Sequence, residues 1–346
     1  MKTTICGLAL LLLMIPALFF NALAHGAETL DDCLRRTLGS ARDDMTIGEL
    51  RRLCQGPMLL PDAFPAGANP AQQSQILLQT DLSTIEKKLA VEEDTEASPY
   101  TLTPHRRNYL MPIAYNSSPN KSVYKGTDED DLDLDKTEVK LQVSLKYKLI
   151  DDIFDKNIDL YIAYTNLSYW QAYNSKPSSI FRDTNHEPEA WLQFNTNWDL
   201  LGIKSRIIQI GAWHQSNGKG EPLSRSWNRL YANFIFEKDN LVFGIKPWYR
   251  LPEDNKHDDN PDIKKYYGYG ELSGFYKWHE HNLSFMLRNN LRSSENKGAI
   301  ELGWTFPLYN KIKGYLQYFN GYGQSILDYD SSANTIGIGI ALTDLY

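Results

Sequence analysis

A period of two dominates the chain from about Tyr109 onward. Apolar and polar residues alternate in runs of roughly ten, separated by turn signals such as Asp-Asp-Ile, Asn-Thr-Asn, Lys-Asp-Asn, His-Glu-His-Asn and Tyr-Asn-Lys. The runs fall near residues 109–116, 137–149, 157–171, 187–199, 203–215, 226–238, 240–250, 264–277, 281–291, 297–306, 311–322 and 333–346. Alternation of this kind puts every second side chain on the same face of a strand. An even number of short, regularly spaced strands with aromatic-rich ends is what a membrane β-barrel requires. A soluble sandwich would share the alternation but would not need apolar residues on an outer face. The expected fold class is all-β: a twelve-stranded antiparallel transmembrane β-barrel with a small, partly helical N-terminal extension.

The last run sharpens this expectation. In ANTIGIGIALTDLY, Ile336, Ile338, Ile340 and Leu342 share one face, and Gly337, Gly339 and Ala341 the other. The strand ends on Tyr346, and such a terminal strand resembles the recognition signal of bacterial outer-membrane barrels. Asp344 breaks the apolar series where the strand should be leaving hydrocarbon. Closing the sheet would spare the exported strands a lipid-exposed edge.

The start of the chain reads as an export signal. Lys2 supplies the positive end, Leu8 to Phe20 a short apolar core, and Ala22-Leu23-Ala24 a small-x-small cleavage site before His25. Residues 1–24 are therefore expected to be a secretory leader, and no later segment approaches the roughly 20 apolar residues of a spanning helix. A net charge of −7 argues against a nucleic-acid binder. Of three cysteines, Cys6 leaves with the leader, and Cys33 and Cys54 most simply form one disulfide in an exported chain. Residues 25–104 are expected to form a periplasmic extension. CLRRTLGSARDDMTIGELRRLC reads as two short helices around a Gly-Ser turn, Pro61 to Gln75 as a linker, and Asp81 to Glu93 as a further polar helix. The barrel would occupy residues 105–346.

One stretch carries chemistry: GAWHQSNGKGEPLSRSWNRLY, from Gly211 to Tyr231. On its first strand the even positions are Ile208, Ile210, Ala212, His214 and Ser216, the better lipid-facing set, although Ile207 and Trp213 blur the contrast. On the next strand Arg229, Asn233 and Glu237 would be costly against lipid and should face the lumen, which turns Asn228 outward with Leu230 and Phe234. A Gly-rich connection from Asn217 to Arg225 joins the two. His214, Ser216 and Asn228 can thus meet outside the wall, at one rim. A serine hydroxyl needs a base within hydrogen-bond reach, and that histidine needs a third group to fix its tautomer. An asparagine can do this without placing a carboxylate beside hydrocarbon. A Ser-His pair aimed at the bilayer would reach phospholipid esters at the interface. The bland reading of the same residues is a polar rim snorkelling into headgroups.

These residues resemble a known family. HQSNGKGEPLSRSWNRLY is similar to the signature of the bacterial outer-membrane phospholipase A family, as are KPWY at Lys246 to Tyr249, DDNPDIKKYYGY at Asp258 to Tyr269, GYGQSILDY at Gly321 to Tyr329 and SSIFRDTNHEP from Ser178 to Pro188. The resemblance runs from about residue 105 to the C-terminus. It implies a calcium-dependent barrel that hydrolyses acyl esters of phospholipids and lysophospholipids, with A1 and A2 specificity, and is active as a homodimer. It assigns Ser216 as nucleophile, His214 as base and Asn228 as orienting residue. It also implies a Ca2+ ion held by Ser224 and the Lys219 carbonyl of one subunit and by the carbonyl of the partner subunit's Ser178. The Gly218 amide and a calcium-bound water would stabilise the oxyanion. The chain departs from the family at Lys219, usually Arg, and at Asn166, where the dimer interface usually carries Gln. Asn166 shares its face with Leu160, Ile162 and Tyr164, and an amide there could pair with its mate across a two-fold axis.

Other motifs carry less. Asp131, Asp133 and Asp135 begin with EF-hand spacing, but Lys136 and Gln142 stand where the loop needs glycine and glutamate. His279-Glu280-His281 reads as a polar turn, and the Asn116-Ser117-Ser118 sequon carries no weight for a bacterial barrel. Two other functions compete: a catalytically silent barrel acting as channel or scaffold, and a soluble exported esterase.

Overall fold

The computed structural model describes residues 82–96, 98, 100–127, 132–153, 158–175, 180–254 and 258–344. The leader, the Cys33–Cys54 segment, the Pro/Ala/Gln-rich stretch, Ser178, Asp131 and Tyr346 lie outside the described residues. Twelve long strands follow one another: β1 (Asn108–Asn116), β2 (Thr137–Ile150), β3 (Ile158–Trp170), β4 (Phe181–Asn195), β5 (Ile203–Ser216), β6 (Ser226–Lys238), β7 (Leu241–Arg250), β8 (Gly270–Trp278), β9 (His281–Asn289), β10 (Gly298–Tyr309), β11 (Ile312–Tyr322) and β12 (Ser332–Thr343). Two-residue pieces, Thr103–Pro104 and Asp199–Leu200, pair with β2 and β5. Each long strand is antiparallel to the next, and β12 returns to pair with β1, so the sheet is closed. The fold is the twelve-stranded barrel that the alternation requires.

The two faces separate cleanly. Ile210, Leu230, Ile245, Ile336 and Ile338 stand about half exposed on the outside, while Glu187, Glu189, Arg206, Arg229, Glu237 and Lys246 are buried inside. Ile207 and Trp213, which blur the sequence pattern, point into the lumen. Ile207 packs with Ile85, Val242 and Phe275. Trp213 receives the Arg229 guanidinium at 3.4 Å from its ring centroid and Lys246 at 4.2 Å, so its bulk serves a cation–π stack and not lipid.

The lumen is lined by ion pairs and entered by a helix. Glu189 accepts from Arg106 at 2.9 Å, from Tyr231 at 3.1 Å, and lies 2.8 Å from His105. Helix α1 (Thr84–Glu96) begins at a capping box: the Glu86 amide donates to Ser83 Oγ at 3.3 Å, and the Ser83 amide donates back to Glu86 Oε2 at 2.8 Å. That backbone bond holds the Glu86 carboxyl below its ordinary range. The box explains why the helix starts after Asp81, and it runs on to Glu96. Its carboxylates meet barrel cations: Glu86 with Arg206 at 2.8 Å, and Glu92 with Lys146 at 2.7 Å. The helix belongs to the same compact unit as the strands.

Two boundaries differ from the sequence reading. Strand β4 starts at Phe181, because Arg182, Asp183, Asn185 and Glu187 all line the interior above the apolar belt. Residues 264–267 form a short helix, α2 (Lys264–Tyr267), ended by Gly268 at φ 70°, before β8 begins at Gly270. Asp344 turns inward once β12 ends at Thr343, where Arg107 (3.0 Å), Lys313 (2.9 Å), Asn282 (2.7 Å) and Thr305 (2.6 Å) hold it. The connections differ in length at the two ends. Those after β5, β7 and β11 are long, whereas those after β6 and β8 are two residues. Short periplasmic turns and long extracellular loops are the rule for outer-membrane barrels, so the β5–β6 loop marks the extracellular rim.

Candidate active site

His214 and Asn228 are register partners across β5 and β6, and both side chains face outward. The His214 ring lies 2.9 Å from Asn228, with Nδ1 against the amide oxygen. An amide oxygen can only accept, so Nδ1 carries the proton and the Nε2 lone pair is available as a base. Ser216 stands two residues along the same outward face, above Ile210 and Ala212. No hydrogen bond joins its hydroxyl to His214 in this structure. All three side chains are half-buried at the point where the strands leave the apolar belt.

The loop after Ser216 is shaped by Asn217. Its side-chain oxygen accepts from the amides of Lys219 (3.3 Å) and Arg225 (3.0 Å), and its Nδ2 donates to the Leu223 carbonyl at 2.8 Å. Gly218 sits at φ 64°, a left-handed conformation that glycine adopts without steric penalty. A second loop braces the first: buried Asn260 accepts from the Ser226 amide at 3.0 Å, and Asp259 accepts from the Ser224 hydroxyl at 2.6 Å. A hydrogen bond with Asp259 pushes the exposed Glu221 carboxyl above its ordinary range.

The structure brings Ser224, Lys219 and Gly218 together in one loop beside Ser216; Ser178 lies outside the described residues. Among the described residues no three His, Cys, Asp or Glu side chains gather as a metal cage. A hard cation with oxygen ligands still fits this loop, since Ser224 Oγ, the backbone carbonyls and the paired Asp259 and Glu221 carboxylates are all oxygen donors. Two neighbours escaped the sequence reading. Asp259 sits inside DDNPDIKKYYGY, yet only the fold carries it to Ser224. His186 on β4 is the register partner of Ser216, lies 2.6 Å from the Tyr164 hydroxyl, and borders the Gly218 turn. Asn166 on β3 lies opposite His186 and accepts from the Ser168 hydroxyl at 2.9 Å.

A closed barrel with an apolar outer belt is the architecture of an integral outer-membrane protein, and its outer wall carries a His–Asn pair beside a serine, the side-chain types of an ester hydrolase. Residues 85–342 match the family model described as Phospholipase A1, and the chain belongs to that family. It is 39% identical over 249 residues to a phospholipase A1 of Klebsiella pneumoniae, covering 72% of this chain and 85% of that one. Among solved structures it resembles an active-site asparagine-to-alanine mutant of outer membrane phospholipase A from Escherichia coli, at 37% identity and TM-score 0.67, covering 72% of this chain and 94% of that one. It also resembles the Salmonella typhi outer membrane phospholipase dimer with bound calcium, at 36% identity and TM-score 0.68, covering 73% and 97%.

Proposed function

We propose that this barrel is a calcium-dependent phospholipase that cleaves acyl esters of phospholipids and lysophospholipids, of A1 and A2 type, through Ser216, His214 and Asn228. The observation that carries the reading is the 2.9 Å contact between His214 Nδ1 and Asn228 Oδ1 on the lipid-facing wall beside a serine. An active-site asparagine in the Escherichia coli relative supports the role given to Asn228. Residues 1–24 act as the leader, and residues 25–104 as an N-terminal extension whose helix α1 joins the barrel of residues 105–346.

The chemistry runs through two half-reactions. His214 Nε2 takes the Ser216 proton as Oγ attacks the ester carbonyl, forming a tetrahedral intermediate. The Gly218 amide donates to its oxyanion. His214 then protonates the departing glycerol oxygen, leaving an acyl-Ser216. Water, deprotonated by His214, hydrolyses that ester and restores the serine. Asn228 holds His214 in the required tautomer throughout. The Lys219 carbonyl, Ser224 and the partner subunit's Ser178 would hold a calcium ion, which supplies positive charge near the oxyanion when bound. The nearby Asp259 and Glu221 carboxylates would favour the cation.

The test is fatty-acid release from phospholipid–detergent micelles with calcium or with EDTA. Chelation should lower the rate about 100-fold, the scale of losing one oxyanion stabiliser, and added calcium should restore it. Ion conductance without calcium-dependent release would instead favour a silent channel. Dimerisation follows from the same reading, supported by the calcium-bound dimer of the Salmonella typhi relative. Asn166→Ala should weaken dimer association by about 1 kcal/mol, roughly a fivefold rise in dissociation constant, measured by energy transfer in detergent.

A further inference from the structure

Asn228 makes a second hydrogen bond. Its Nδ2 donates to Glu253 Oε1 at 3.2 Å. Glu253 lies just beyond β7, and the odd residues of that strand, Ile245 and Tyr249 among them, face outward. The chain continues alongside β6 past the end of β7, because the Leu251 amide donates to the Asn228 carbonyl at 2.8 Å. Glu253 is thus held at the height of Asn228, half-buried, on the side away from His214.

An asparagine amide is nearly symmetric in shape, and its two orientations have opposite consequences here. With Oδ1 toward His214, the imidazole proton is fixed on Nδ1 and Nε2 is a base. With Nδ2 toward His214, Nδ1 must accept, the proton moves to Nε2, and the base is lost. A carboxylate can only accept, so it can bond only the NH2 side of Asn228. It also returns a negative charge to the triad one residue removed from the histidine. At the rim, where the strands leave the apolar belt, that charge keeps access to water. We infer that Glu253 is a positioning residue for the hydrolytic site, selecting the Asn228 amide orientation and stabilising the His214 imidazolium through it.

This rests on the proposed roles of His214 and Asn228, and a double-mutant cycle separates the two ideas. kcat and KM for phospholipid hydrolysis would be measured at saturating calcium for the wild type, Glu253→Ala, Glu253→Gln, Asn228→Ala and the double alanine variant. Glu253→Ala should lower kcat about tenfold with KM little changed, and should have no further effect in the Asn228→Ala background. Glu253→Gln keeps an acceptor for Nδ2 and should recover most of the kcat at neutral pH. Without the charge, its acid limb should move down by about half a pH unit, since losing a nearby anion lowers the histidine pKa. The other titratable or charged side chains around this site, His186, Tyr164 and Tyr249 on the outer wall and Glu221, Arg225, Asp254 and Asp259 in the adjoining loops, are unchanged in every variant.

Equal losses from Glu253→Ala in both backgrounds would overturn the inference, as would a loss confined to KM or one reversed by more calcium. Full activity in Asn228→Ala would instead remove the proposed triad itself. Unchanged unfolding midpoints among the variants keep a folding defect from imitating either result.

Discussion

Ser216→Ala should reduce fatty-acid release by about 10⁴-fold or more while leaving the barrel as stable as before. The first half of that expectation comes from the chemistry of a nucleophile. Without Oγ no acyl-enzyme forms, and only direct attack by water remains, assisted by whatever the oxyanion site retains. The second half comes from position. Ser216 is half-buried on the outer wall and bonded to no neighbour whose partner would be orphaned, so its truncation falls in the range of about ±0.5 kcal/mol typical of such sites. Rates in mixed micelles, together with denaturant midpoints, check both halves. A large stability loss would mean that the serine holds the wall together and does not serve a reaction there.

Glu189→Ala should do the reverse. Its carboxylate is fully enclosed in the lumen, accepting from Arg106 and Tyr231 and lying 2.8 Å from His105 and 3.7 Å from Lys246. Removing it strips Lys246 of its ion pair and leaves Arg106 paired with Glu187 alone, and breaking a buried pair in this way destabilises by about 3–5 kcal/mol. Denaturant unfolding in lipid vesicles should show that loss, and Glu189→Gln, which keeps an acceptor for Tyr231, should show less. Activity per folded molecule should survive, because Glu189 faces the lumen and Ser216 faces lipid. The two substitutions divide the barrel into an inside that holds the fold and an outside that carries the chemistry.

Parity explains what the sequence reveals and what it hides. Wherever a strand crosses hydrocarbon, one face must be apolar, so β5 and β6 announce their outward sets, and His214, Ser216 and Asn228 follow by counting in twos. Near the extracellular rim that constraint lapses. The polar start of β4 carries no alternation in hydrophobicity, so its first six residues escape detection. Around α2, Tyr267 turns inward to lie 5.3 Å from Trp227, ring to ring, and a local helix replaces the expected strand. Inside the lumen the rule fails differently: Ile207 is apolar because a helix covers it, and Trp213 because cations stack on it. Asp259, Glu253 and His186 could not have been placed from spacing alone. Each reaches the site through a loop conformation or a cross-strand register that no local pattern encodes.

The most direct test of a lipid-facing serine nucleophile is covalent trapping. The folded protein in detergent with calcium would be treated with a long-chain alkyl sulfonyl fluoride, digested, and mapped by peptide mass spectrometry. The expected result is a single sulfonyl adduct on Ser216, formed in step with loss of activity and absent in His214→Ala. An adduct on another residue with Ser216 intact, or continued hydrolysis after complete modification of Ser216, would contradict the account.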